Sequence, residues 1–155
     1  MKILISPCLF GIRTRWDEDC VENEALINLV KAGQAVFLCP EQLGGLSTPR
    51  EPSEIETEKT AKDVLNGDAR VLTITGIDVT DQFVAGAHRV LEFCQKFSVE
   101  KAILKFDSPS CGSQYTYDGS FSDTTIPGRG ITAELLEQNR IRVYNDKNFQ
   151  TGENI

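Results

Sequence analysis

The chain has 155 residues, 40% of them hydrophobic, enough to bury one substantial core without disulfide staples. Sixteen basic residues against 23 acidic give a formal net charge of -7, which argues against a protein that works by neutralising nucleic-acid phosphates. The apolar run after Lys2 ends at Pro7, too short for a signal peptide, and no later run approaches membrane-spanning length. The expectation is one cytoplasmic domain over residues 1–155. There, five cysteines point to metal or thiol chemistry rather than a disulfide framework.

In chain order, short β-rich runs alternate with helical patterns. "KILIS" (2–6) reads as a first buried strand, followed by "ENEALINLVKAG", in which Leu26, Leu29 and Val30 share one helical face and Gly33 is the stop. "AVFL" (35–38) and "RVLTIT" (70–75) read as further strands. Next, "IDVTDQFVAGAHRVLEFCQKF" offers Asp78 as N-cap and an apolar stripe of Phe83, Ala87, Val90, Cys94 and Phe97. "AILKF" (102–106), the short helix "TAELLEQN" and "IRVY" (141–144) complete the series. The alternation predicts a three-layer α/β/α domain, Rossmann-like or flavodoxin-like, around a mainly parallel sheet of about five strands.

Two connections are longer than that plan needs. Residues 40–69 and 107–130 are dense in Gly, Pro, Ser and Thr, and each follows the carboxyl end of a strand. In open α/β sheets, ligands bind at that edge. Cys8, Cys39 and Cys111 all lie there, each beside Pro or Gly, so parallel strands would carry three thiols that are distant in sequence to one place. Cys94 falls on the apolar face of a helix and Cys20 precedes a helix, which suits structural roles. The only histidine, His88, sits mid-helix and away from this edge.

Three thiolates without a fourth ligand do not make a closed structural zinc site. They fit two other chemistries. One is a 4Fe-4S cluster whose fourth iron is left open as a Lewis acid with affinity for soft sulfur. The other is a cluster-free enzyme with a reactive thiolate, Cys111, activated by the amides of "SPSCGS". Glu41, two residues after Cys39, is placed to act as general base; Ser108 and Ser110 flank Cys111, Ser108 as a candidate hydrogen-bonding group for a substrate and Ser110 read rather as a support of the turn. Arg50 is read as an anchor for the long loop or the partner of an anionic group, with anchoring favoured, and Lys105 as the partner of a buried carboxylate. The glycine-rich entry "PGRGITAELL" has the form of an anion-binding helix N-terminus.

The blocks "ISPCLFG", "CPEQLGGLSTPREPSEI", "AILKFDSPSCGS", "YDGSFS" and "PGRGITAELL" together resemble the thiouracil desulfidase family, from Met1 to about Tyr144. The resemblance implies an oxygen-sensitive 4Fe-4S cluster held by Cys8, Cys39 and Cys111. It also implies non-redox removal of sulfur from a small thiolated base or nucleoside, with the substrate's sulfur on the open iron. Glu41 and Ser108 match the positions for proton transfer and substrate handling. A non-catalytic iron-sulfur or redox-sensing module is the third reading. One departure concerns the first block: many members carry a second cysteine where this chain has Thr14, and Glu18 also differs, which bears on the rim of the site and the identity of the substrate.

Overall fold

The computed structural model describes residues 2–149. Its centre is a parallel sheet of four strands: β1 (Ile3–Ile5), β2 (Ala35–Phe37), β5 (Lys101–Leu104) and β8 (Arg142–Asn145), in the order β2-β1-β5-β8. Around it lie α1 (Glu24–Lys31), α2 (Pro40–Leu43), α3 (Ala61–Leu65), α4 (Thr80–Lys96) and α5 (Ile131–Gln138). The mixed α/β class agrees with the sequence reading. The strand count does not.

The sequence places residues 70–75 in the central sheet. Instead β4 (Val71–Thr73) pairs antiparallel with β3 (Ser53–Ile55) in a separate two-stranded sheet. An apolar run of three to six residues states that a strand is buried but not which sheet buries it. A third small sheet joins β6 (Tyr115–Tyr117) to β7 (Thr125–Pro127). Both long connections therefore contain structure, in elements of three to five residues that are too short for periodicity to reveal.

Side-chain alternation along β1 and β5 divides the core. Leu4, Ala102 and Leu104 face a large cluster with Phe83, Ala87 and Val90 of α4 and Ile131, Leu135 and Leu136 of α5. Ile3, Ile5 and Ile103 face the opposite cluster with Leu26 of α1 and with Leu9. Leu26 and Phe83 are fully buried, and each contributes roughly 1.5–3 kcal/mol by leaving water. Asn23 caps α1 through its side chain, and the turn at Gly33 closes it, its N–H returning to the Val30 carbonyl. Asp78 stands just ahead of α4 and accepts from the Thr80 N–H at 2.9 Å. Phe97, placed on the buried stripe by its spacing, lies beyond the last helical residue and is 51% exposed. β2 is an edge strand, and its Phe37 is likewise exposed.

The seat of α2 on α4 depends on two glycines. A methyl group at Gly86 of α4 would lie 1.9 Å from the Pro40 carbonyl oxygen, and one at Gly44 would lie 1.9 Å from that of Gln82. Only glycine allows the two helices to approach this closely. The Arg89 guanidinium reinforces the seat by donating to the Leu43 carbonyl. This fixes α2, and with it Cys39 and Glu41, at the carboxyl edge of the sheet.

Candidate active site

β1, β2 and β5 are neighbours and parallel, so the residues that follow them leave the sheet at the same edge. Cys8 lies in a 3-10 turn, Pro7–Leu9, just past β1. Cys39 is the residue before α2, and Cys111 follows β5 in the "SPSCGS" loop. All three line one cavity of about 410 Å³, together with Glu41, Arg50, Glu54, Lys105, Ser108 and Ser110. That volume lies within the range of small-molecule sites.

Backbone contacts set the Cys111 loop. Gly130, at the start of α5, donates to the Gly112 carbonyl at 2.7 Å, Ile131 to Pro109 at 2.8 Å, and Thr132 to Ser110 at 2.8 Å. The free N–H groups of the α5 N-terminus are thus spent on the loop carbonyls, which is a different use from the anion site read in the sequence. A side chain at Gly130 would stand 2.5 Å from the Ser110 carbonyl carbon, so the helix can approach only as glycine. The Ser108 hydroxyl accepts the Cys111 N–H at 2.7 Å and closes the turn.

The hydroxyl and carboxylate groups form a directed chain. Glu41 Oε2 accepts from the Ser110 hydroxyl at 2.7 Å, and Oε1 accepts from Arg50 Nε at 3.0 Å. Ser108 and Ser110 are 3.2 Å apart. With Ser110 donating to the carboxylate, its oxygen is left to accept from Ser108. Arg50 is almost buried and also donates to the Thr14 carbonyl at 2.9 Å and the Thr48 hydroxyl at 2.9 Å. It therefore anchors the loop and holds Glu41 at the same time. The Thr14 carbonyl also accepts from the Cys39 thiol at 3.8 Å, so at the departing position the backbone orients a cysteine. Lys105 pairs with Asp107 at 2.9 Å and lies 3.8 Å from Asp146.

Burial pushes the Cys8 thiol up to about 12, with Cys111 and Cys39 adding to the shift. Burial likewise pushes Cys111 to about 12, with Cys39 next, and it raises Cys39. Each thiol thus feels a neighbouring thiol or carboxylate as well as the loss of water. The Ser6 and Ser110 hydroxyls act against this at Cys111, both 3.6 Å from its sulfur, as do Lys105 and Arg15 at Cys8 and Arg50 at Cys39. A metal centre reverses the balance, because ligation to a cation deprotonates a thiol outright. Among the described residues, no three His, Cys, Asp or Glu side chains are spaced to hold a single metal ion. The three thiols border one cavity.

Cys94 is buried in the core and Cys20 is half-buried among the residues before α1; neither borders the cavity. His88 is exposed on α4.

A profile of the 2-thiouracil desulfurase family matches residues 3–148. The chain belongs to this family of enzymes. YbbK of Bacillus subtilis (strain 168), an uncharacterised protein, is 45% identical over 144 residues, covering 93% of this chain and 95% of YbbK. A solved structure of TudS, described as a 4Fe-4S-dependent thiouracil desulfidase, superposes with a TM-score of 0.83 at 36% identity, covering 94% of this chain and 91% of TudS.

Several residues of this desulfurase-family cavity escaped the sequence reading. Ser6 ties β1 to β5 by accepting the Lys105 N–H at 3.2 Å and donating to the Cys111 sulfur. Trp16, Ile74 and Phe121 give the cavity apolar wall. Glu54, on β3, is 7% exposed and accepts the N–H groups of Gly119 at 2.8 Å and Phe121 at 3.2 Å, both on Oε2. Burial pushes its carboxyl above the ordinary value, against those two donors. The available signals were faint: the only tryptophan, and a lone carboxylate in the run "PSEI".

Proposed function

We propose that this protein removes sulfur from a thiolated pyrimidine, a free base or nucleoside, with a 4Fe-4S cluster held by Cys8, Cys39 and Cys111. The observation that carries the reading is the opening of three strand-end thiols into one cavity beside a carboxylate fixed by Arg50 and Ser110. The name of TudS, whose fold this chain shares, supports both the cluster and the substrate class.

The reaction balances without an oxidant or reductant. Water replaces sulfur at a carbon that is thiocarbonyl before and carbonyl after, and hydrosulfide leaves. When bound, the cluster supplies an open iron that polarises the thiocarbonyl as a Lewis acid. The chain supplies the protons. Glu41 takes a proton from the attacking water and is held in place by Arg50 at 3.0 Å, while Ser110 and Ser108 extend its hydrogen-bonded reach along the cavity wall. Ser6 donates toward the Cys111 sulfur, the kind of contact that tunes a cluster-bound thiolate. The negative overall charge favours a small molecule over RNA as the partner. A cluster-free nucleophilic cysteine would need a lowered thiol pKa, and burial moves all three thiols the other way.

The test is anaerobic reconstitution followed by sulfide release from 2- and 4-thiouracil, comparing wild type with Cys111→Ser. The expected result is a brown wild type that releases sulfide and a variant that loses both colour and activity. A colourless wild type after competent reconstitution, or a brown one that releases no sulfide from any thiolated base or nucleoside, refutes the reading.

A further inference from the structure

Glu54 has a function that its place in the fold leaves unexplained. Its side chain is buried in the cavity wall, and Oε2 receives both backbone donors of the 119–121 turn. Oε1 has no hydrogen-bond partner among the described residues. Among the described residues the buried side-chain oxygens left without a partner are those of Thr116 and Thr132, so Glu54 Oε1 is not sealed in the protein but open to the cavity, where a donor on a ligand can reach it. No cation pairs with Glu54 among the described residues; Asp118 and Asp123 surround it with further negative charge. A ligand that meets this oxygen does so with a hydrogen-bond donor, and it fits a wall made of Trp16, Ile74 and Phe121.

A pyrimidine base meets both conditions. It is flat and largely apolar in its faces, and its ring N–H groups flank the carbonyl or thiocarbonyl carbon as donors with no competing acceptor on the same atom. We propose that Glu54 Oε1 accepts a ring N–H of the substrate, so that Glu54 determines specificity for an unsubstituted ring nitrogen. The inference rests on the desulfurase reading above. It adds the group that recognises the ring, on the opposite long loop from Cys111.

Glutamine at this position keeps one carbonyl oxygen for the Gly119 and Phe121 N–H groups but turns an amide NH₂ toward the ligand, where it opposes a ring N–H instead of accepting it. Uracil, 1-methyluracil and 3-methyluracil are suitable probes because they are not desulfurised. They are titrated against the reconstituted protein, and binding is followed by calorimetry and by the fluorescence of Trp16, the sole tryptophan, which lines the cavity. For wild type, one of the two methyl isomers is expected to bind about 10- to 100-fold more weakly than uracil, the value of one charged hydrogen bond. Glu54→Gln should bind uracil more weakly by a similar factor and lose the discrimination against that isomer.

The inference is overturned if wild type binds uracil and both methyl isomers within twofold of one another, or if Glu54→Gln retains the discrimination. The wild-type comparison alone decides the matter should the variant fail to fold. Binding that ignores Glu54 removes this inference and leaves the desulfurase reading intact. Failure of wild type to bind uracil overturns this inference alone, whereas failure to release sulfide from any thiolated base or nucleoside overturns both.

Discussion

Replacing Ser110 by alanine isolates the contribution of the hydroxyl chain. Its hydroxyl donates to Glu41 Oε2 at 2.7 Å and lies in a side chain that is 2% exposed, so no water enters readily to replace it. A hydrogen bond to a charged acceptor in such a place is worth about 1.5–3 kcal/mol, which corresponds to about 10- to 100-fold in rate if it is strongest while Glu41 takes its proton. The fold should tolerate the change: the Ser110 carbonyl still accepts from Thr132 and Ala133, and Glu41 keeps Arg50. The assay is sulfide release from 2-thiouracil at saturating and subsaturating substrate, alongside iron content and the visible spectrum. Expected are a kcat lowered about 10- to 100-fold, a KM within about twofold, and full cluster loading. Ser108→Ala is the contrast, because its oxygen also accepts the Cys111 N–H at 2.7 Å, so its loss should disturb cluster loading as well as rate. A Ser110→Ala enzyme with wild-type kcat, or one whose lost activity follows lost iron, refutes the directed chain from Ser108 through Ser110 to Glu41.

Two further outcomes concern the thiols. In cluster-free protein at pH 7, Cys8 and Cys111 should alkylate more slowly than the half-buried Cys20, since both are buried and burial pushes their thiols up to about 12, which lowers the fraction present as thiolate; peptide mapping after brief iodoacetamide treatment checks this, and labelling led by Cys111 would restore the cluster-free mechanism. The same burial makes the cluster-free fold sensitive to alkali. Because the folded thiols titrate above 9.0, the unfolded chain gives up its protons first as pH rises, so the stability they contribute is complete below pH 9 and lost between 9 and about 12. Thermal melts from pH 7.5 to 10.5 should show Tm falling above pH 9, and falling less in a Cys8→Ala/Cys111→Ala double variant; equal slopes for the two proteins would show that other groups cause the loss.

The parallel core was legible because its signals are long-range in effect but local in form. β1 and β5 announce themselves as apolar runs, α1 and α4 as stripes of period 3.6, and the positions of Cys8, Cys39 and Cys111 relative to strand ends follow from those assignments alone. What stayed hidden was decided by tertiary contacts between pieces too short to have a period. The "VLT" of β4 has the composition of a central strand, yet it is taken by "SEI" of β3 in antiparallel register, Glu54 opposite Leu72. Phe97 follows the helical stripe of α4 but lies past its last turn, where spacing no longer governs orientation. Glu54 was invisible for the same reason as β3: a carboxylate in a polar loop reads as solvated until the turn at Gly119 and Phe121 closes over it.

The site also explains why the polar residues around the cysteines are those that were ambiguous in sequence. Arg50 could be an anchor or a charge partner, and it is both, since one guanidinium reaches the Thr14 carbonyl, the Thr48 hydroxyl and Glu41. Ser110 reads as a turn residue, and its backbone carbonyl does hold the N-terminus of α5, but its side chain points the other way, to the carboxylate. At Ser110 the backbone fixes the loop and the side chain faces the cavity, whereas at Arg50 one side chain does both. A loop of turn-formers at a strand end is therefore no weak place for a buried thiol: its carbonyls take the helix donors, the Cys111 and Gly112 amides are satisfied by Ser108, and the Cys111 sulfur borders the cavity beside the Ser6 and Ser110 hydroxyls, with Cys39 and Glu41 near enough to act on it. That is the condition under which burying three thiols becomes favourable once a cationic centre is bound among them.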